Sequence, residues 1–131
     1  MAYPSIAPLG EGDLVFCDFD GTISVIDTGI AVIDALKLEA AWELEHVWRR
    51  GEISSMECLA KQWDLVQLPH AELDALLDTF ALREDFVAFH HLLTERNAAF
   101  VVVSDGLDYY IDRMMARLGL PTCDGSRVLE R

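Results

Sequence analysis

Positive charge is scarce in this chain. Ten Lys and Arg stand against 23 Asp and Glu over 131 residues, a formal net charge of −13, and the lysines are Lys37 and Lys61 alone. That balance excludes a nucleic-acid binder, which needs basic surface to displace counterions from a phosphate backbone. It leaves room for a small phosphorylated metabolite, because a bound metal sets the local field and diffuse surface charge is screened beyond about 10 Å. Cysteine is sparse as well. Cys17, Cys58 and Cys123 are odd in number and show no C-x-x-C spacing, which argues against a disulfide framework or a zinc site. No apolar run approaches the roughly 20 residues of a membrane span. Met1 to Gly10 has neither the basic start nor the apolar core of a secretory signal, so the expectation is a cytoplasmic protein with no membrane partner. Repeats and low-complexity segments are missing too. What is there, 52% hydrophobic and 25% charged residues, is a globular composition.

The most informative segment is Leu14-Val15-Phe16-Cys17-Asp18-Phe19-Asp20-Gly21-Thr22, an apolar strand ending in two carboxylates one residue apart and a turn-forming glycine. Side chains alternate along a strand, so Asp18 and Asp20 project one way while Phe19 points back to a core. Two convergent acids repel each other unless a cation lies between them or one holds a proton, which suits a hard divalent metal, Mg²⁺, together with a phosphate. An Asp-rich turn would also use such residues; an EF-hand loop would need further ligands and a preceding helix that the sequence lacks. Far along the chain, Ala98 to Val103 runs into Ser104-Asp105-Gly106. Its unbroken apolar character implies a strand buried on both faces of a parallel sheet, where ligands gather beyond the carboxyl ends. The Ser104 hydroxyl and the amides of Asp105 and Gly106, ahead of a helix start, are placed to hold a phosphate.

Between the strands the period is helical. Met56, Leu59, Ala60 and Trp63 share one face, as do Leu73, Leu76, Leu77 and Phe80. Ser54 with Glu57 makes a capping box for the first of these helices, and Pro69 precedes the second. An earlier pair is expected over Gly29 to Leu38 and Glu39 to Arg49. Phe86, Phe89 and Leu93 mark a core helix before the second strand. Ile111, Met114, Met115 and Leu118 mark another after it, stopped by Gly119 and Pro121. A third short strand is expected near Arg127 to Leu129.

These residues resemble the haloacid dehalogenase superfamily, whose first motif is D-x-D-G-T on the first strand and whose second is a Ser or Thr ending the next. Asp18-Phe19-Asp20-Gly21-Thr22 and Ser104 match them, and the resemblance runs from about Asp13 to Leu120. It implies an α/β fold: a Rossmann-like core of parallel sheet flanked by helices, from residues 1–22 and 84–131, with an α-helical cap inserted at 23–83. It also implies a Mg²⁺-dependent phosphatase acting on a small phosphorylated metabolite. Asp18 would be the nucleophile that forms an aspartyl-phosphate, and Asp20 the acid and base. Both acids would meet the metal, while Ser104, Asp105, Gly106, Gly21 and Thr22 would hold phosphate. Asp27 and Thr28 fall where the family places a substrate flap, although helix capping explains them equally.

The long insert is similar to the caps of phosphoserine phosphatase and of the methionine-salvage hydroxy-keto-methylthiopentenyl-phosphate phosphatase. Gln62 takes about the place of an Arg that grips the substrate carboxylate in the former, which points away from phosphoserine. Trp42, Trp48 and Trp63 read as core or as pocket wall, His90 as a packing histidine, and Arg49 and Arg50 as solvated residues at a helix end. The family's phosphate-neutralising Lys and later acidic motif are not identifiable; Asp124-Gly125-Ser126 reads as a loop. The chain is therefore expected to be the first part of a longer phosphatase or half of a split one, the alternative being a non-catalytic phosphate- or metal-binding remnant. With few strands and exposed sheet edges, a homodimer or a missing C-terminal half is the expected partner.

Overall fold

Two apolar runs that end in glycine turns form the two strands, and helices occupy nearly everything between and after them. The computed structural model describes residues 9–122; Cys123, Asp124 to Ser126 and the strand expected near Arg127 to Leu129 lie outside the described residues. The order is β1 (Leu14–Cys17), α1 (Thr28–Leu36), α2 (Glu39–Arg49), α3 (Ser55–Asp64), α4 (His70–Leu77), α5 (Asp85–Glu95), β2 (Ala99–Val102) and α6 (Asp108–Arg117). This is an α/β arrangement, a parallel strand pair flanked by helices.

β1 and β2 pair parallel, with Leu14 opposite Ala99 and Cys17 opposite Val102, and the Val103 amide continues the ladder to the Cys17 carbonyl at 2.8 Å. Both strands therefore release the chain at one edge, where Asp18, Asp20 and Ser104 follow. After α6 the chain returns to β2, where the Val102 amide donates to the Thr122 carbonyl at 2.9 Å. One face of the pair is sealed: Cys17, Phe100 and Val102 are buried, and the Phe86 and His90 rings of α5 meet Phe100 edge-on. β2 is buried on both faces, as its unbroken apolar run implies, with Phe100, Val101 and Val102 all buried, whereas β1 leaves open the face that carries its first and third residues. Leu14 and Phe16 are 52% and 64% exposed.

The helices start and stop where the side chains allow. Asp27 caps α1 by accepting from the Ile30 amide, and Ser54 caps α3 by accepting from the Glu57 amide at 3.1 Å. α6 ends at Gly119, whose φ of 70° suits a residue without a Cβ. The insert does not pack as a separate body. Ser24 and Leu82, at its entry and exit, form an antiparallel bridge. Arg113 of α6 holds the Asp78 carboxylate through two bonds of 2.9 and 2.7 Å, and Arg117 donates to the Leu77 and Phe80 carbonyls at 3.2 and 2.8 Å. These cations meet the end of α4, where its dipole and free carbonyls want positive charge. One apolar cluster accordingly runs through both parts, from Phe19, Phe100 and Met114 to Val32, Leu77 and Phe80.

Because Leu77 is fully buried in that shared cluster, Leu77→Ala is expected to cost about 2–5 kcal/mol and to weaken the whole fold in a single urea transition. Leu92→Ala, on the exposed side of α5, is expected to cost no more than about 0.5 kcal/mol. Separate transitions for the insert and the strands in Leu77→Ala would contradict a shared core.

Candidate active site

Beyond β1 the chain turns sharply: the amides of Thr22, Ile23 and Ser24 all donate to the Phe19 carbonyl, at 3.1, 2.9 and 3.1 Å, with Gly21 at a φ of 76°. The turn sends Phe19 inward, fully buried, and leaves Asp18 exposed and Asp20 half-buried. Asp18 Oδ1 accepts from the Phe19 amide at 2.8 Å. Asp20 is held at both oxygens. Its Oδ1 accepts from the Thr28 amide, the first residue of α1, at 2.8 Å, and its Oδ2 accepts from the Tyr110 hydroxyl at 2.6 Å. Each oxygen keeps a second lone pair for a proton or a ligand.

Tyr110, in the first turn of α6, is the site residue that sequence reasoning missed. Its ring lies between Phe19 and Trp63, with centroids 6.0 Å away on each side, nearly parallel to Trp63. Its hydroxyl sits so close to Gly106 that a Cβ there would come within 1.7 Å of Oη and 3.1 Å of Asp20 Oδ2. Gly106 is thus a requirement of close approach. The only sequence signal was the i, i+4 spacing of Gly106 and Tyr110, which a helix start makes meaningful and a bare sequence does not. Burial and the adjacent Asp20 charge push the Tyr110 hydroxyl well above its usual range, so it stays protonated and donating. Beside it, buried Ser104 accepts from the Gly106 amide at 3.0 Å through Oγ.

A cavity of about 740 Å³ opens over this corner. Asp20, Ser104, Asp105 and Gly106 line it from the strand side, Asp27 from the start of α1, and Glu45 and Gln62 from α2 and α3. Thr28 is buried beside it, its amide on Asp20. Asp18 stands exposed at the same strand edge without lining the cavity. Gly21 and Thr22 are not brought there either: the Gly21 amide donates to Ser24 Oγ at 3.2 Å, and Thr22 faces a shallow depression beside Arg83 and Phe86. Among the tryptophans, Trp48 lines the cavity, Trp63 backs Tyr110, and Trp42 bonds Asp34 at 3.0 Å. Arg49 and Arg50 pair with Glu45 and Glu52.

Asp27 titrates above the usual carboxylate range. Loss of solvent is the largest cause; the Ile30 amide opposes it, and the charges of Asp20, Glu45 and Asp105 add to it. Among the described residues no three His, Cys, Asp or Glu side chains gather around one point. Asp18 nevertheless offers an exposed carboxylate with no partner recorded on Oδ2 among the described residues. That fits Mg²⁺, which keeps several waters and takes one or two carboxylates plus substrate phosphate.

The family model for haloacid dehalogenase-like hydrolases matches residues 15–131. The chain belongs to this family. Among curated relatives of this hydrolase, it is 29% identical over 99 residues to the 2-hydroxy-3-keto-5-methylthiopentenyl-1-phosphate phosphatase of Bacillus thuringiensis strain Al Hakam, covering 74% of this chain and 45% of that one. It is 30% identical, with the same coverage, to the Bacillus cereus strain G9842 enzyme of that name. The chain thus spans under half the length of the curated relatives it matches. Among solved structures, a HAD family hydrolase from Salmonella enterica serovar Typhi superposes with a TM-score of 0.75 at 18% identity, covering 86% of this chain and 40% of that one. A phosphoserine phosphatase captured as a phospho-aspartyl intermediate analogue superposes at 0.64 with 21% identity, covering 84% of this chain and 54% of that one. These two share the fold with the described α/β core.

Removing the Tyr110 hydroxyl takes a hydrogen bond from a charged group, so Tyr110→Phe is expected to cost about 1.5–3 kcal/mol by urea unfolding. Gly106→Ala is expected to destabilise the parent more than the Tyr110→Phe variant, since the nearest clash is with the lost oxygen; equal costs in the two backgrounds would contradict the close approach. Asp27→Asn tests the acidic cavity. A raised carboxyl loses native stability as pH climbs through its folded range, so the Asn variant, which retains the cap on Ile30, is expected to have the higher Tm above about pH 4. That advantage is expected to vanish by about pH 3, where both forms are neutral.

Proposed function

We propose that this HAD-like hydrolase is a Mg²⁺-dependent phosphomonoesterase acting on a small phosphorylated metabolite. The observation that carries the reading is the strand-end corner itself: an exposed carboxylate, Asp18, two residues before a second, Asp20, fixed at both oxygens beside the Ser104-Asp105-Gly106 turn. Asp18 attacks phosphorus, forming its Oδ–P bond as the P–O bond to the alcohol breaks, and Asp20 gives that alcohol its proton. Asp20 then takes a proton from the water that attacks the aspartyl-phosphate, freeing Asp18 and inorganic phosphate. Holding Asp20 from two sides keeps its remaining lone pairs turned to the reacting oxygens, an arrangement that needs no reorganisation during transfer. Ser104 and the Asp105 amide steady the phosphoryl oxygens, and the Gly106 amide, which donates to Ser104 Oγ at 3.0 Å, orients that hydroxyl toward them. Asp18, with Asp20 beside it, would hold Mg²⁺, which supplies charge neutralisation for the phosphoryl group. The relatives that carry this name act on a methylthiopentenyl phosphate, and a substrate of that size suits the cavity. The cap is the segment 23–83, whose ends are joined where Ser24 and Leu82 meet, and the protein is placed in the cytoplasm.

The purified chain is expected to release p-nitrophenol from p-nitrophenyl phosphate in Mg²⁺. Chelation should abolish the activity, and Asp18→Asn should lower kcat by at least about 1,000-fold. A folded protein that turns nothing over, or an Asp18→Asn variant as active as the parent, would refute the reading.

A further inference from the structure

The cap side of the cavity has a polar wall that the phosphoryl chemistry does not use. Glu45 of α2 and Gln62 of α3 are each only 8% exposed, and both line the cavity that holds Asp20 and Ser104. Gln62 Nε2 donates to the Ala41 carbonyl at 3.1 Å and to Glu45 Oε2 at 3.0 Å. Two acceptors on one nitrogen fix the orientation of the amide and consume both of its hydrogens. The carbonyl Oε1 is then what Gln62 offers to the cavity, and it has no partner among the described residues. Among the described residues no buried side-chain polar atom lacks a partner, so this oxygen is open to the solvent of the cavity, where a ligand's donor can take the place of water.

Charge points the same way. Glu45 Oε1 meets Arg49 Nε at 3.4 Å, but the Arg49 side chain is 56% exposed and stands off the cavity lining. No Lys, Arg or His lines the cavity among the described residues. Asp27 lies between the two ends, close enough to feel Asp20 and Asp105 on one side and Glu45 on the other. Ser55 is the remaining polar hydroxyl on the cap side, and it already accepts from Trp48 Nε1 at 3.0 Å. Ile30, Trp48, Met56 and Leu59 make up apolar wall. A carboxylate-bearing leaving group would set acceptor against acceptor and anion against anion here, whereas a donor would satisfy Gln62 Oε1 and Glu45 together.

We propose that Glu45 and Gln62 select the leaving group, admitting an alcohol that carries a hydrogen-bond donor, hydroxyl or ammonium, and rejecting one that carries a carboxylate. The proposal rests on the phosphatase reading for the position of the phosphate. Its test uses four-carbon phosphonates, which cannot be hydrolysed: butylphosphonate, 4-hydroxybutylphosphonate, 4-aminobutylphosphonate and 4-phosphonobutanoate, titrated calorimetrically into the chain in Mg²⁺. At least one of the hydroxyl and ammonium ligands is expected to bind tenfold or more tightly than butylphosphonate, and the carboxylate at least tenfold more weakly than the better donor. An ammonium preference that Glu45→Gln removes identifies the charge of Glu45 as the selector; a hydroxyl preference that Gln62→Leu removes identifies the amide carbonyl. Comparable binding of all four, tightest binding of the carboxylate, or no binding of any of them overturns the inference. The wild-type order decides this even if a variant fails to fold. p-Nitrophenyl phosphate, assayed in parallel, separates the two levels: its turnover with an indifferent phosphonate order removes the selector and keeps the phosphatase.

Discussion

Asp20 accepts one hydrogen bond on each carboxylate oxygen, from the Thr28 amide and from the Tyr110 hydroxyl, and three elements far apart in sequence meet there. β1 brings the carboxylate, α1 begins on it, and α6 reaches it through a tyrosine wedged between Phe19 and Trp63. A half-buried charge needs partners, because an unpaired one loses its water without compensation. The requirement acts in both directions: the acid is immobilised, and the start of the insert and the start of α6 are fixed relative to the strand end. Gly106 belongs to the same constraint, since any side chain there would displace the hydroxyl.

The charge pattern of the cavity follows from what surrounds this anchor. Asp20, Glu45 and Asp105 are all close enough to act on Asp27, and apart from Arg49, which meets Glu45 from outside the cavity lining, the nearby arginines are used elsewhere. Arg113 and Arg117 bind the end of α4, and Arg50 pairs with Glu52 on the surface. Concentrated negative charge of this kind disfavours an anionic ligand by itself and favours a ligand accompanied by a cation, which is the condition a metal-assisted phosphatase imposes. On the proposed reading the cavity has two parts, a floor that would need cationic help for phosphate and a wall from α2 and α3 where the Gln62 amide hydrogens are spent on Ala41 and Glu45.

The insert is tied to the rest of the chain at several points. The Ser24–Leu82 bridge joins its ends, the arginines of α6 grip α4, and Leu77, Phe80 and Val32 share one apolar cluster with the strands. α2 and α3 hold each other through Trp48–Ser55 and Gln62–Ala41 and contribute less to that cluster. A cap that opens and closes would therefore move at α2 and α3, the two helices that carry Glu45 and Gln62, while α1 and α4 stay with the core.

Local pattern was enough to place much of this molecule. Strand alternation put Phe19 in the core between two outward acids, helical spacing located α1 and α2 to within two residues and α3 to α6 by their apolar faces, with Phe80 falling past the end of α4, and Ser54 and Gly119 marked ends that they do mark. Such features depend on neighbours within a turn or two of chain, so the sequence determined them by itself. The open face of β1 was not legible, since an apolar run says that a strand prefers cover and not whether anything covers it; Leu14 and Phe16 remain exposed. Nor were the bond from Tyr110 to Asp20, the contact of Gly106 with Tyr110, or the pairing of Gln62 with Glu45. Those partners are 90, 4 and 17 residues apart, and only packing of the elements against one another decides which polar atoms are buried together and must satisfy each other.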